Sequence, residues 1–401
     1  MQRISVLLFA AALAAPACTT GGSSGGDDVS ATCGNGVCDS GETEATCPAD
    51  CSQAGDQWDQ TLASRVVDYN AALRIAAMRL TGALPSMADI NSVANAPTDA
   101  AKKTAYEALI DTYLATPAFT KQIMGYWRDT MKQGDSAILD TAPAFAAQLT
   151  LADGDYRQLF TAASGNCPTY DGNTTFTPAE CANGGPKAGV LTNPGVMTQF
   201  YSNFAFRRTR WVQETFVCTA FPAEVSATPT DVHAAAPYTG TFPFASIAGT
   251  DNGGRIDFHD VSATICANCH ANINHIAPLF ANYDVNGMYQ TAIAVTTPLD
   301  GAPLAKLSDY LPTGEGLAWR FGTPVTDLPS LGVAMAADPQ VAACGVARVW
   351  NWALGKTDIV DTLQQVPSAT IQTQIDAFTA SGYKIKTLIR AVYTADDFVK
   401  F

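Results

Sequence analysis

Charge is scarce in this 401-residue sequence, and positive charge is scarcer than negative. Charged residues make up 15%, with 23 Lys and Arg against 37 Asp and Glu, for a formal net charge of −14. That balance speaks against nucleic acid as a partner, because phosphates need basic side chains to neutralise them. A diffuse acidic face is ordinary for an exported surface protein. Long hydrophobic runs are missing too. The N-terminal run Ile4–Ala15 is too short to span a bilayer, and no other stretch is long and apolar enough. Histidine is limited to His233, His259, His270 and His275. A second Cys-x-x-Cys or a His-x-His pair, which would complete a zinc site around Cys266 and Cys269, is absent.

The N-terminus carries a processing pattern. One positive charge in Met1-Gln2-Arg3 precedes the apolar run, and Ala15-Pro16-Ala17 leads into Cys18. Residues 1–18 are therefore expected to be a signal segment. Ala-x-Ala suits ordinary secretory cleavage; a small residue before Cys suits a lipoprotein signal with Cys18 lipidated, although the usual Leu three residues earlier is missing. The lipoprotein reading is preferred because residues 19–32, rich in Gly and Ser, form a flexible tether suited to lifting a domain off a membrane. The expected location is outside the cytoplasm, as an outer-membrane lipoprotein or at the cell surface or periplasmic face.

In such a compartment the 11 cysteines can be apportioned without remainder. Cys18 takes lipid. Cys33, Cys38, Cys47 and Cys51 belong to a compact module, residues 33–52, with almost no apolar content, so disulfides must hold it. Asp39, Glu42, Glu44 and Asp50 crowd carboxylates there; they read as solvated acids and would also suit Ca²⁺. Cys167 and Cys181 make an economical local pair, which leaves Cys218 and Cys344 as a long-range staple. Four cysteines allow three connectivities, so this pairing is one of three. Cys266 and Cys269 remain.

Those two lie in Cys266-Ala267-Asn268-Cys269-His270, the Cys-x-x-Cys-His pattern by which haem c is attached. Each thiol can form a thioether to a haem vinyl group, and His270 follows in position to ligate the iron from the proximal side. A thioredoxin-like pair would need a strand–helix alternation that does not surround the motif. A disulfide within the motif would be strained. The chain contains no second copy of the pattern, so one haem is expected.

Helical periodicity dominates elsewhere. Residues 57–140 read as helices. Leu73, Ala76, Ala77 and Leu80 make one stripe, stopped by Gly82. Ser86–Asp89 is a capping-box start. Tyr106, Leu109, Ile110, Tyr113 and Leu114 form another stripe, and Thr116-Pro117 opens a helix carrying Phe119, Ile123, Tyr126 and Trp127. Residues 141–255 are expected to be rich in loops, with short helices in 136–200 and a longer helix over 203–222 that bunches Arg207, Arg208 and Arg210. That cluster would neutralise haem propionates or pair with surface carboxylates. Residues 256–327 form the haem segment, with a helix opened by the motif and ended before Pro278. Residues 328–401 are helical again, over Val341–Leu354, Ile371–Thr379 and Ile385–Tyr393, with Gly355 and Gly382 as stops.

Three blocks carry a resemblance. The first is Arg74–Gly82 with Pro85, Tyr106–Asp111 and Trp127–Asp129. The second runs from Gly189–Thr192 through Arg208–Val212 and Cys218 to the haem motif, and closes with Phe280–Asp284 and Gly287. The third is Cys344, Ala353–Lys356, Gly382-Tyr383, Leu388-Ile389 and Phe398. In this order they resemble the planctomycete-type surface cytochrome c family, whose members are mostly of unknown function, over roughly residues 60–401 with gaps. The 33–51 module is similar to a myxobacterial-type Cys-rich repeat, and Asn35–Asp39 to half of a Lin-12/Notch calcium repeat. Two departures stand out: Asn274-His275 replaces a usual Asp-Pro, and Gln290 a usual Arg or Lys.

The resemblance implies a mainly α fold of helical c-type cytochrome-like domains with long irregular loops, plus the small disulfide-rich N-terminal module. It also implies a His near position 259, which makes His259 the leading distal ligand. Met288 and Met335 are the thioether alternatives. His275, on the proximal side, suits a hydrogen-bonding role. The function expected is one-electron transfer to a redox partner protein by a membrane-anchored mono-haem cytochrome. The alternatives are a haem peroxidase or oxygenase with an open sixth position, and a non-redox cell-surface binding protein.

Overall fold

Helix signals in the sequence become helices with the caps they imply. In the computed structural model, which describes residues 63–219, 273–297, 303–311, 316–356 and 366–401, Asp68 opens α1 (Tyr69–Thr81) by accepting from the amides of Asn70 and Ala71 at 2.9 and 3.0 Å. Gly82 closes it at φ 73°, a left-handed conformation that glycine adopts without steric cost. Ser86 and Asp89 form the capping box of α2 (Met87–Ala94). Thr98 caps α3 (Asp99–Leu114), and Thr116 caps α4 (Pro117–Met131) with proline in its first turn. Leu73, Ala76, Ala77 and Leu80 of α1, and Phe119, Ile123 and Trp127 of α4, are buried, as their periodicity requires.

The segment 136–200 departs from its expected loop-rich character. Thr141–Leu151 forms α5, an 11-residue helix buried on nearly every side. A helix apolar all round has no stripe for periodicity to detect. Trp127 Nε1 donates to Thr150 Oγ1 at 2.9 Å and ties α5 to α4. A short helix α6 (Gln158–Thr161) follows, then an antiparallel ribbon of β1 (Thr169–Tyr170) and β2 (Phe176–Thr177). The disulfide Cys167–Cys181 staples the base of this ribbon. Next come α7 (Pro194–Gln199) and α8 (Phe206–Val217).

Residues 273–280 are helical and are called α9. This helix passes through Pro278, where a break was expected, and ends in a tight turn in which Ala281 N donates to the Pro278 carbonyl at 3.2 Å. Beyond it lie a small ribbon of β3 (Ala318–Trp319) with β4 (Thr323–Pro324), then α10 (Leu328–Ala337), α11 (Pro339–Ala353), α12 (Ser368–Ala380), α13 (Ile385–Tyr393) and α14 (Asp396–Val399). The molecule is mainly helical, as expected.

Residues 66–401 form one unit, and its core runs through the N-terminal, central and C-terminal helices alike. Val66 and Phe401 exchange two backbone hydrogen bonds at 2.9 Å, which joins the start of the unit to its end. Tyr106 of α3 donates to the Tyr393 carbonyl of α13 at 2.6 Å. The disulfide Cys218–Cys344 fastens the end of α8 to α11. Beside it, the buried Arg348 donates to the last-turn carbonyls of α8, to Thr215 at 2.7 Å and Glu214 at 2.8 Å. Helix C-termini leave such carbonyls without partners of their own. Among the described residues no helix is long and apolar enough to cross a membrane.

Candidate functional site

The haem motif itself, Cys266, Cys269 and His270, lies outside the described residues, as do His233 and His259. So do Cys18, Cys33, Cys38, Cys47 and Cys51, and with them the expected calcium module. What the structure shows is the ground the motif leads into: α9, which is described from three residues after His270. Ile273, Ile276, Ala277 and Phe280 of α9 are buried in the core. Asn274, at one of the two departures, is fully buried and donates from Nδ2 to the Tyr310 carbonyl at 3.0 Å. An Asp could not donate there. His275 is 1% exposed.

Arg208 holds the far end of α9. Fully buried, it donates from Nη1 to the Phe280 and Tyr283 carbonyls at 2.9 and 2.7 Å, and from Nη2 to that of Asp284 at 2.9 Å. Its Nε reaches the Met197 carbonyl in the last turns of α7 at 3.0 Å, and Nη2 contacts the same oxygen. One side chain thus satisfies backbone groups from three segments. Burial pulls its pKa down to about 10, which leaves it charged at neutral pH. The Arg cluster therefore divides its work: Arg208 binds main chain, Arg210 pairs with Glu214, and Arg207 is exposed.

The turn after α9 is built as tightly. Asp284 accepts from the amides of Asn286 and Met288 at 2.9 and 3.0 Å, and from Gln290 Nε2 at 2.9 Å. Gln290, the second departure, thus supplies the donor that an Arg or Lys would bring. Gly287 has φ 71°, and a Cβ there would lie 2.7 Å from the Pro194 carbonyl. Asn183 donates to the carbonyls of Thr192 and Gly287, each at 3.0 Å.

Aromatic rings gather at Tyr310, whose carbonyl Asn274 binds. Phe204 and Phe206 stack at 5.3 Å, and Tyr310 meets Phe204 edge-on at 5.2 Å. Phe204 and Ala205 both have left-handed backbones, at φ 57° and 58°. For a bulky residue that conformation is costly, and such strain concentrates at functional sites. Hydrogen bonds from Phe204 N to the Thr296 carbonyl (3.1 Å) and between Thr296 Oγ1 and Asn203 Oδ1 (2.7 Å) hold it in place. The Tyr310 hydroxyl is buried, with no hydrogen-bond partner among the described residues, and burial keeps it protonated far above neutral pH. An orphaned buried hydroxyl on the residue whose carbonyl α9 binds fits a bound group with acceptor atoms, such as a haem propionate.

The two thioether candidates differ. Met335 is fully buried in α10, whereas Met288 is 42% exposed on the Asp284 turn. The pairing Cys167–Cys181 and Cys218–Cys344 is the one singled out from the cysteine count. Among the described residues no cluster of His, Cys, Asp and Glu is arranged to hold a metal ion. The sequence flagged Arg208 but not its partners, and gave no sign of Tyr310; Phe204 lies at the start of the helix expected over 203–222, but the left-handed backbones of Phe204 and Ala205 delay the α-helix to Phe206–Val217.

Two family models match the chain. Residues 56–150 match PSCyt2, a protein of unknown function (DUF1549), and residues 187–293 match PSCyt3, a protein of unknown function (DUF1588). No curated protein and no solved structure matches it significantly.

Proposed function

The chain belongs to the planctomycete-type surface cytochromes of unknown function, and from that premise we propose that it is an exported, lipid-anchored, mono-haem c-type cytochrome that transfers single electrons. The observation that carries this reading is the Cys266–His270 pattern three residues ahead of the described start of α9, a helix pinned at its far end by Arg208. The Cys266 and Cys269 thiols would add across the two haem vinyl groups, and His270 would ligate the iron. When bound, haem supplies a reversible one-electron couple.

The rest is the work of this chain's own residues. Arg208 keeps the end of α9 and the Asp284 turn in one position. Ile276 and Phe280 lock the helix into the core. The Tyr310 hydroxyl offers a donor to a propionate. A rigid frame of this kind keeps reorganisation small when charge changes by one unit. The net charge of −14 would steer a basic redox partner toward the surface. Cys18 would carry the lipid and residues 19–32 the tether, and the carboxylates of residues 33–51 would stand as solvated acids, with Ca²⁺ as the alternative.

Visible spectra of the oxidised and reduced protein, with and without carbon monoxide, test the assignment to electron transfer. A low-spin spectrum indifferent to carbon monoxide supports it; ready carbon monoxide binding would instead indicate an open sixth position and a peroxidase- or oxygenase-like enzyme. His259→Ala is expected to turn the low-spin spectrum high-spin, and an unchanged spectrum rules His259 out as the distal ligand.

A further inference from the structure

A cleft of about 780 Å³ is lined by Arg79 of α1, the end of α4 with the loop after it, and the end of α11. Its size is that of small-molecule sites. Among its lining residues is Gln133, 7% exposed, whose amide oxygen and nitrogen both lack a hydrogen-bond partner among the described residues. Leaving a buried polar group unpaired is costly, so a buried amide unpaired at both ends points to something bound. The backbone around it is held left-handed at Lys132 (φ 52°) and Asp135 (φ 68°). Arg128 braces the loop through two 2.7 Å bonds to Asp140.

The cleft is also cationic in an acidic chain. Arg79, Lys132 and Lys356 all line it. Arg79 is seated on Gly355, where a Cβ would stand 2.2 Å from its Nη2. The paired rings of Tyr126 and Trp352, 5.2 Å apart, add an apolar wall. Asp129 and Asp135 line it as well; they would accept from ring hydroxyls and repel an anion that carries its whole charge on one compact group, such as phosphate.

We propose that this cleft binds an acidic sugar, a uronate unit of a saccharide. Its carboxylate meets Arg79 and Lys356. One ring hydroxyl donates to Gln133 Oε1 and accepts from its Nε2, which satisfies both orphaned atoms. The apolar face of the ring rests on Trp352. The inference is independent of the haem.

Isothermal titration calorimetry of the purified full-length chain with digalacturonate, maltose and inorganic phosphate tests it. Digalacturonate is expected to bind in preference to both others, and more weakly as salt rises. Gln133→Leu, which replaces an unpaired amide with an apolar group of similar size, and Lys356→Ala, at an exposed position, are each expected to weaken binding at least tenfold. Absence of digalacturonate binding, equal or tighter binding of maltose or phosphate, or unchanged affinity in Lys356→Ala overturns the proposal. Circular dichroism checks that Gln133→Leu folds, and Arg79→Ala replaces it as the second variant if it does not.

Discussion

At the residue scale, the Arg208 guanidinium faces the carbonyls of Met197, Phe280, Tyr283 and Asp284. Replacing it with Met would take a charged donor from four carbonyls, of which those of Phe280 and Asp284 keep a backbone donor (Tyr283 N and Gly287 N), a loss of about 3–5 kcal/mol by analogy with breaking a buried charged pair. Urea unfolding of Arg208→Met is expected to show that loss. Arg208→Lys should rescue little, because an ammonium cannot span carbonyls arranged for a planar fork. The sequence displayed Arg208 plainly but not its role. Three of its four partners are backbone atoms 72 to 76 residues further along the chain, and a carbonyl carries no sequence signature. Tyr310 was hidden for a related reason: it matters through one orphaned hydroxyl, and only the packing shows that atom to be buried.

At the scale of the element, local chemistry was readable wherever a cap or a stripe existed. The expected Ile385–Tyr393 helix has the bounds of α13, and Thr116-Pro117 opens α4 as its residue types require. Reading failed where burial was symmetric, as in the Ala-rich α5, and at Pro278, where tertiary packing keeps α9 helical past a residue that ordinarily interrupts. The turn after α9 allows a direct check. Gly287→Ala would force a side chain into a left-handed backbone and against the Pro194 carbonyl. It should cost about 1–3 kcal/mol and, if the turn positions α9, should broaden amide resonances of residues 280–290 in an NMR spectrum. Full stability with unperturbed resonances would show that this turn tolerates a side chain.

At the scale of the molecule, the unit is closed by long-range fasteners: the Val66–Phe401 bridge, the Tyr106–Tyr393 bond and the Cys218–Cys344 disulfide, which spans 126 residues. On the chain-entropy account a loop of that length is worth up to about 5 kcal/mol. Cys218→Ser with Cys344→Ser is therefore expected to lower the thermal midpoint by many degrees, while Cys167→Ser with Cys181→Ser, closing a separation of only 14, should lower it less. An even remainder of four cysteines showed that such staples exist, and economy favoured the local Cys167–Cys181 pair among the three pairings; what fixes that choice is α8 lying against α11. Family membership was legible from the order of the three blocks, two of which overlap the matched segments.

The central proposal is that the Cys266–His270 pattern ahead of α9 binds haem covalently, and haem retention under denaturing conditions tests it most directly. The chain, expressed with cytochrome c maturation machinery, is run on a denaturing gel, stained for haem peroxidase activity, and quantified by pyridine haemochrome. The account predicts one haem per chain in the wild type and none in Cys266→Ala with Cys269→Ala. A wild-type band without haem stain, or a stain that survives loss of both cysteines, would contradict it.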